Sequence, residues 1–154
     1  PKVYNMLTLE QILDNWKKDC EIDDIELDKS SRETPKLHAK YVELLSQAKL
    51  QKHRKEMEFK KLLKDKFMWY NGKMDKTTMD EKGWEYDPFD GLTKPMKSDM
   101  DYFYESDPQI QTLQSQIEYW KTVIDTLSDI VSNITWRHQT ISNMIKWRQF
   151  TSGV

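Results

Sequence analysis

The chain has 154 residues, about the size of one ordinary domain, and only 37% of them are hydrophobic, against roughly 45–50% in typical globular domains. Its 6 Trp, 7 Tyr and 5 Phe distinguish it from a disordered tail, its single cysteine excludes an intramolecular disulfide, and no apolar run approaches the ~18–20 residues that span a bilayer. The net charge is −2, and no signal peptide is recognisable, so a cytosolic location is expected. Residues 1–5 precede Met6 and represent either a leader or a remnant of expression.

The first predicted helix begins at Thr8. Gln11 follows three residues later, which fits a capping box, and apolar residues then recur along one helical face at Leu9, Ile12, Leu13 and Trp16. We expect this helix to end near Cys20. The acidic residues 21–28 then form a connector with room for one more helical turn.

A second, much longer helix is predicted from Pro35 to about Tyr70, because proline is favoured in a first helical turn and Asn71-Gly72 tolerates the backbone that ends a helix. One face of it is apolar and consists of Leu37, Tyr41, Leu44, Leu45, Ala48, Phe59, Leu62, Leu63 and Tyr70. Lys52, Lys55 and Lys66 interrupt this stripe, which makes the helix a poor sole partner for another apolar helix.

Charge is divided between two adjacent blocks. Residues 49–73 hold nine Lys or Arg and three acidic residues (net +6), whereas residues 74–108 hold four Lys and ten acidic residues (net −6). A basic helix that ends in Phe67, Trp69 and Tyr70 suits single-stranded DNA, because cations hold phosphates and aromatic rings stack on unpaired bases. The candidate DNA-binding residues are Lys49, Lys52, Arg54, Lys55, Lys60, Lys61, Lys64, Lys66, Trp69 and Tyr70. The alternative is a solvated helix face whose aromatic residues belong to the core.

Residues 73–107 are predicted to be irregular, since glycines and prolines interrupt them. We expect this acidic, aromatic segment to be a flexible modulator rather than part of a core. Two roles fit: it shields neighbouring lysines from DNA, or it docks on a basic surface of a partner protein. Trp84, Tyr86 and Phe89 have the character of anchors for the second role.

The strongest pattern begins at Asp107-Pro108, a capping residue followed by a proline in the first helical position. Ten of the eleven heptad a and d positions that follow are apolar, His138 being the exception, and Val123, Ile130 and Met144 add a column at g. The predicted oligomerisation residues are Ile110, Leu113, Ile117, Trp120, Ile124, Leu127, Val131, Ile134, Ile141 and Ile145. We expect a multi-helix ring or bundle of several chains; the alternative is an intramolecular hairpin with residues 36–70.

Signatures of catalysis and cofactor binding are missing from the sequence. Its four glycines form no phosphate-binding loop or dinucleotide fingerprint, and no nucleophile motif occurs. The three histidines, His38, His53 and His138, have no zinc-site spacing with Cys20. We therefore expect a protein that is not an enzyme and that needs neither a cofactor nor a metal.

Several stretches in the same order resemble the UvsY family of recombination mediators from T-even-type bacteriophages and their marine relatives. They are Trp16-Lys17-Lys18-Asp19, Leu63-Lys64-Asp65-Lys66 with Trp69-Tyr70-Asn71-Gly72, Lys97-Ser98-Asp99-Met100 and Glu118-Tyr119-Trp120. The resemblance implies hexameric or heptameric rings in the cytoplasm of the infected bacterial host. It also implies binding to single-stranded DNA, to a RecA-like recombinase and to the phage single-strand-binding protein, whose hold on DNA the mediator weakens while the recombinase filament is loaded.

The resemblance also carries over a Lys-x-Arg-type DNA motif, whose two positions are Lys64 and Lys66 in this chain. Lysine at the second position keeps the charge but gives up the bidentate geometry of arginine. Residues 84–94 form a longer acidic insert for which the family offers no role.

The sequence thus predicts an all-α protein in three regions: a DNA-binding region (1–73), an acidic segment (74–107) and a C-terminal coiled-coil or barrel-type oligomerisation helix (108–154). Its expected function is recombination mediation as a ring-shaped homo-oligomer on single-stranded DNA, without any membrane association. Two alternatives are a structural coiled-coil phage assembly protein, which has no use for a basic helix, and a helicase-loader-type adaptor.

Overall fold

The structure is a computed structural model that describes residues 6–153, so the expectation for residues 1–5 lies outside it. The described residues form five α-helices: α1 (Leu9–Asp19), α2 (Leu27–Tyr70), α3 (Lys76–Lys82), α4 (Met100–Ser106) and α5 (Pro108–Thr151). A short 3-10 helix (Lys97–Asp99) precedes α4. The all-α fold with long helices is confirmed, since α2 and α5 each have 44 residues.

Local capping signals place the ends of α1 where the sequence predicts them. The Gln11 N–H donates to Thr8 Oγ1 (3.2 Å) and the Thr8 N–H donates to Gln11 Oε1 (2.9 Å), which completes the capping box. Cys20 caps the C-terminus, and its N–H donates to the carbonyl of Trp16 (2.8 Å).

The predicted start of α2 is wrong, because the helix begins at Leu27 and contains Pro35 in its interior. Asp23 Oδ1 accepts hydrogen bonds from the N–H groups of Ile25 (2.9 Å) and Glu26 (3.4 Å) and forms the turn that leads into the helix. Proline removes the bond to the carbonyl of Ser31, but both residues are exposed, so water can satisfy that carbonyl.

The predicted end of α2 at Asn71-Gly72 is confirmed. Gly72 has a φ of 67°, and the N–H groups of Gly72 and Lys73 donate to the carbonyls of Trp69 (3.1 Å) and Met68 (2.8 Å). These two bonds form a Schellman motif, which requires a left-handed residue at this position and so explains the glycine.

Clustering of contacts divides the chain into two compact units. The first unit comprises residues 1–51 and 120–154, and the second comprises residues 52–119. Both long helices contribute to both units, so these units group the residues differently from the three regions predicted along the sequence.

The core of the first unit is formed by α1, the first part of α2 and the C-terminal part of α5. Its buried residues are Ile12, Tyr41, Ala48, Val123, Leu127, Ile130 and Ile134. The Tyr41 ring packs edge-on against Trp16 (5.4 Å between centroids), and its hydroxyl donates to Asp19 Oδ2 (2.8 Å). The Tyr41 bond therefore ties the end of α1 to α2.

Much of the heptad seam of α5 is buried within this unit. Leu127, Ile134 and Ile141 at d positions and Val123 and Ile130 at g positions are all buried. The expectation that only partner chains could cover the seam is wrong for this part, and the intramolecular alternative holds. The physical reason is that the lysines interrupting the apolar stripe of α2 begin at Lys52, beyond the part of α2 that packs here.

The second unit contains the end of α2, all of α3 and α4, and the start of α5. Asp75 caps α3 by accepting from the Thr78 N–H (3.3 Å), and Gly83 ends it with a φ of 68°. Met79 and Met100 are buried, together with Ile110 and Leu113 of α5. The prediction that residues 73–107 lie outside the core is therefore wrong, and the prediction that they are irregular is confirmed for residues 83–96 but not for α3 and α4.

The start of α5 at Asp107-Pro108 is confirmed. Asp107 Oδ1 accepts hydrogen bonds from the N–H groups of Gln109 (3.0 Å) and Ile110 (3.1 Å). Asp107 thus satisfies two of the donors that a helix N-terminus leaves free. Despite the length of α2 and α5, no helix within residues 6–153 is apolar enough to cross a membrane.

Candidate nucleic-acid interface

Five of the predicted DNA-binding cations lie exposed on α2: Lys49, Arg54, Lys60, Lys61 and Lys64. Within residues 6–153 none of them is within ion-pair distance of a carboxylate. Lys60 and Lys64 are four residues apart and share one side of the helix, with Lys61 beside them. We call the four that belong to the second unit, Arg54, Lys60, Lys61 and Lys64, the basic face.

Two further candidate lysines of α2 have their charges partly neutralised by glutamates of the same helix. Lys52 Nζ lies 3.1 Å from Glu56, and Lys55 Nζ lies 3.4 Å from Glu58. Their side chains are also about two-thirds to three-quarters buried, with exposed fractions of 32% and 26%. Both lysines therefore offer less free charge to a phosphate than the basic face does.

Lys66, which is also predicted to bind DNA, is buried in the structure. Its side chain is only 4% exposed, and its ammonium lies 3.0 Å from Asp107 Oδ2, whose own side chain is 2% exposed. The same ammonium stands over the rings of Trp69 (4.5 Å) and Trp84 (4.1 Å). A cation held by a buried carboxylate and two indole faces is not presented to solvent, where a DNA phosphate would meet it.

Every oxygen of the Asp107 carboxylate is engaged. Oδ2 accepts from Lys66 and from the Tyr70 hydroxyl (2.7 Å), while Oδ1 caps α5. Burial alone would raise the pKa of Asp107, but the hydrogen bonds from Tyr70, Lys66 and the Ile110 N–H outweigh it and hold the pKa below its ordinary value. Burial and the bond to Asp107 raise the pKa of Tyr70. The Lys66–Asp107–Tyr70 network therefore locks the end of α2 to the start of α5.

Trp69 and Tyr70 also pack against other side chains of the same chain, so their rings are not freely exposed for stacking. Trp69 Nε1 donates to the carbonyl of Glu85 (2.7 Å), and its ring packs on Trp84 (5.3 Å between centroids). Tyr70 packs on Phe89 (5.9 Å) and Phe103 (5.7 Å). Trp84 and Phe89 are thus anchors, but they anchor to α2 of the same chain, whereas Tyr86 is exposed and donates to Asp80 within the segment.

The acidic segment contacts the side of α2 that carries Asp65 and Lys66. Lys82 of α3 pairs with Asp65 (3.2 Å), and Trp84 stacks over Lys66. Lys60, Lys61 and Lys64 remain exposed in this arrangement. Since the segment supplies part of the core of the second unit, deleting residues 76–94 is expected to unfold that unit rather than to release a flexible shield.

The first unit contains a buried arginine that contacts the chain just past the C-terminus of α1. Arg137 of α5 is 8% exposed and donates to the carbonyls of Cys20 (3.2 Å) and Glu21 (3.0 Å), just past the C-terminus of α1. A cation at this end satisfies free carbonyls and complements the helix dipole. Arg137 is therefore structural, and only its place on the apolar face of α5 could have indicated this from the sequence.

The apolar residues at the far end of α5 are largely exposed. Ile145 is 39% exposed, and Trp136, Trp147 and Phe150 are 65%, 66% and 75% exposed. Trp147 and Phe150 stack on each other with 5.7 Å between their centroids. Among the a positions Ile124 and Val131 are half-buried and His138 is exposed. In the part of the chain that the structure describes, no group of three His, Cys, Asp or Glu side chains could hold a metal ion.

The fold is similar to three crystal structures of the bacteriophage T4 recombination mediator protein UvsY. Lattice type II matches with a TM-score of 0.80 and 23% sequence identity over 95% of this chain and 98% of that chain. Lattice type I matches with a TM-score of 0.78 and 23% identity over 91% and 98%, and lattice type IV with 0.77 and 22% over 94% and 99%. At these identities the likeness concerns the fold, and no curated protein sequence matches the chain.

The family profile described as "Recombination, repair and ssDNA binding protein UvsY" matches residues 15–154. This match spans nearly the whole chain and confirms the resemblance seen in the sequence. It also confirms the expectation of a protein that is not an enzyme. The chain belongs to the UvsY family of recombination, repair and ssDNA-binding proteins.

Proposed function

We propose that this chain binds single-stranded DNA through the basic face of α2 and acts there as a recombination mediator. The observation that carries the proposal is the contrast among the lysines of one helix. Lys60, Lys61 and Lys64 are exposed and have no carboxylate partner among the residues that the structure describes, whereas Lys66 is buried in an ion pair. Exposed cations along a helix contact phosphates without reading bases, as a protein that coats any sequence requires.

The same proposal extends to the protein partners. Bound to DNA, the chain weakens the hold of the phage single-strand-binding protein and helps the RecA-like recombinase to form its filament, in the cytoplasm of the infected host. Family membership supports this role over that of a helicase loader, and the basic face supports it over that of a purely structural coiled-coil protein. The chain supplies binding surfaces, and the recombinase supplies the ATPase chemistry.

A loading assay tests the mediator role. Single-stranded DNA is first coated with the single-strand-binding protein, and the DNA-dependent ATPase activity of the recombinase is then followed with and without this chain. We expect the chain to shorten the lag before steady ATP hydrolysis and to have no ATPase activity alone. An unchanged lag, at concentrations where the chain is bound to DNA, would contradict the mediator role.

We further propose that α5 assembles the chain into a hexameric or heptameric ring. Trp147 and Phe150 are exposed and stack on each other, which is more exposed apolar surface than scattered single residues explain. Assembly would repeat the basic face around the ring, so that several weak phosphate contacts act on one strand together. The a residues Ile124 and Val131, half-buried, and Ile145, exposed, lie on another side of α5 and offer a second contact.

Sedimentation velocity tests the assembly surface. Changing Ile145 and Trp147 together to Asp places one charge on each of these two sides of α5, and we expect smaller particles with unchanged helix content by circular dichroism. Gln139→Asp and Asn143→Asp, two exposed polar positions of α5, provide the matched control. A change at Leu127 would not serve, because it is fully buried in the chain's own core. Full-sized particles from the Ile145/Trp147 variant would exclude this surface.

A further inference from the structure

Phe67 is the most exposed of the three aromatic residues at the end of α2, and Lys73 lies over its ring. It is 38% exposed, whereas Trp69 and Tyr70 pack among Trp84, Phe89 and Phe103. Among the described residues no aromatic ring packs on Phe67. The ring therefore has no aromatic partner within residues 6–153, although Trp69 and Tyr70 near it along the helix both have such partners.

Positive charge lies around this ring on two sides. Lys60 and Lys64 precede Phe67 by seven and three residues, which places all three on one side of the helix within about 10 Å along its axis. Past the helix end, Lys73 Nζ lies 5.3 Å from the centroid of the Phe67 ring. Neither Lys60, Lys64 nor Lys73 is ion-paired in the described part of the chain.

A fourth cation comes from the acidic segment. The Lys94 ammonium lies against Gly72, where any side chain with a Cβ would collide with it. The Lys94 ammonium therefore lies at the end of α2, next to Gly72. The positive surface of α2 therefore continues past the helix, even though Lys94 belongs to a segment that is acidic overall.

We propose that Phe67 is a base-stacking site: an unpaired nucleobase stacks on its exposed ring, with neighbouring phosphates held by Lys60 and Lys64 on one side and by Lys73 and Lys94 on the other. This inference rests on the proposed binding of single-stranded DNA by the basic face and names the residue that makes the face select unpaired strands. Duplex DNA keeps its bases stacked inside, so it can use the lysines but not the ring.

The test compares a thymidine oligonucleotide with an abasic strand of the same length. For the unchanged protein we expect tighter binding to the thymidine strand. Phe67→Ala is expected to weaken binding to that strand about 5- to 150-fold, the range of one base–aromatic stack, and to bind both strands equally. The salt dependence of binding should stay unchanged, because no phosphate contact is lost.

Two further variants make the outcome specific. Phe67→Trp should retain the preference for the thymidine strand, whereas Phe67→Leu, which keeps apolar bulk without an aromatic face, should lose it. Tyr102→Ala, an aromatic side chain 72% exposed on α4, is the control and should bind like the unchanged protein. Circular dichroism confirms that each variant is folded.

Equal affinity of Phe67→Ala and the unchanged protein for the thymidine strand would overturn the stacking site. If Phe67→Ala instead lost recombinase loading at unchanged DNA affinity, the ring would belong to a protein contact and the inference would also fall. The proposed function is tested separately, since it requires that loss of Lys60 and Lys64 reduce the salt dependence whatever Phe67 does.

Discussion

Asp107→Ala is expected to destabilise the second unit by about 3–5 kcal/mol, since it leaves the ammonium of Lys66 buried without its carboxylate. Loss of the helix cap on α5 adds roughly 1 kcal/mol, and the Tyr70 hydroxyl loses its acceptor. Because whole small domains are stable by only about 5–15 kcal/mol, this one change could unfold the unit. Urea unfolding followed by tryptophan fluorescence measures the effect, since Trp69 and Trp84 both contact Lys66.

A double-mutant cycle separates the free energy that the ion pair contributes from the free energy that the helix cap contributes. Asp107→Asn keeps the size and a capping oxygen but removes the charge, so it should cost nearly as much as alanine if the ion pair dominates. Adding Lys66→Met to Asp107→Asn removes the stranded cation and should restore part of the lost free energy of unfolding. Strictly additive losses from the two single variants would show that the two side chains do not stabilise the unit as a pair.

The same network makes part of the stability depend on pH. The pKa of Asp107 is lowered in the folded chain, so its contribution is present above the ordinary aspartate pKa of about 3.9 and is lost as the pH falls below it. We expect the stability difference between the unchanged protein and Asp107→Asn to shrink below about pH 4. Asp19, whose pKa is also lowered, is present in both proteins and cancels from the comparison.

Neutralising Lys60, Lys61 and Lys64 together to Gln is expected to cause the largest loss of DNA binding. Each phosphate contact contributes ~0.7 to the slope of log affinity against log salt on single strands, so three contacts should reduce the slope by about 2. Extrapolated from 1 M to 0.1 M salt, this corresponds to a loss on the order of 100-fold. Fluorescence anisotropy with a labelled oligonucleotide at several salt concentrations gives both quantities.

The control for this variant removes the same charge elsewhere. Lys18, Lys36 and Lys121 are exposed lysines of the first unit without an ion pair within residues 6–153, and their combined change to Gln should leave the slope nearly unchanged. Changing Lys52 and Lys55 should have an intermediate effect, because glutamates already neutralise part of their charge. Equal slopes for the two triple variants would show that overall charge, rather than the basic face, governs binding.

The helix ends could be predicted because their signals are local. Thr8 with Gln11, Asn71 with Gly72, and Asp107 with Pro108 act within a few residues, so spacing along the chain is enough to recognise them. The early start of α2 was missed because the Asp23 turn and the exposure of Pro35 override the usual position of proline. The heptad pattern correctly predicts a long α5 with an apolar side, but it does not show whether that side packs on the same chain or on another chain.

The site was harder to predict, because Lys66 and Asp107 are distant in sequence. The only local sign was that Lys66 falls on the apolar stripe of α2 with Leu62, Leu63 and Tyr70, where a lysine must be paired if it is buried. The density of positive charge along α2 does not by itself distinguish the buried Lys66 from the exposed Lys64. The exposure of Phe67 likewise depends on which aromatic rings of the acidic segment cover Trp69 and Tyr70.

Lysine footprinting tests most directly the claim that the exposed side of α2 is the DNA interface. The protein is treated with an amine-acetylating reagent with and without a thymidine oligonucleotide, and each lysine is quantified by mass spectrometry. We predict that Lys60, Lys61 and Lys64 react freely and become protected by DNA, while Lys66 stays unreactive in both states because Asp107 holds it in the core. Unchanged reactivity of Lys60, Lys61 and Lys64 with protection of Lys18, Lys36 or Lys121 would contradict the account.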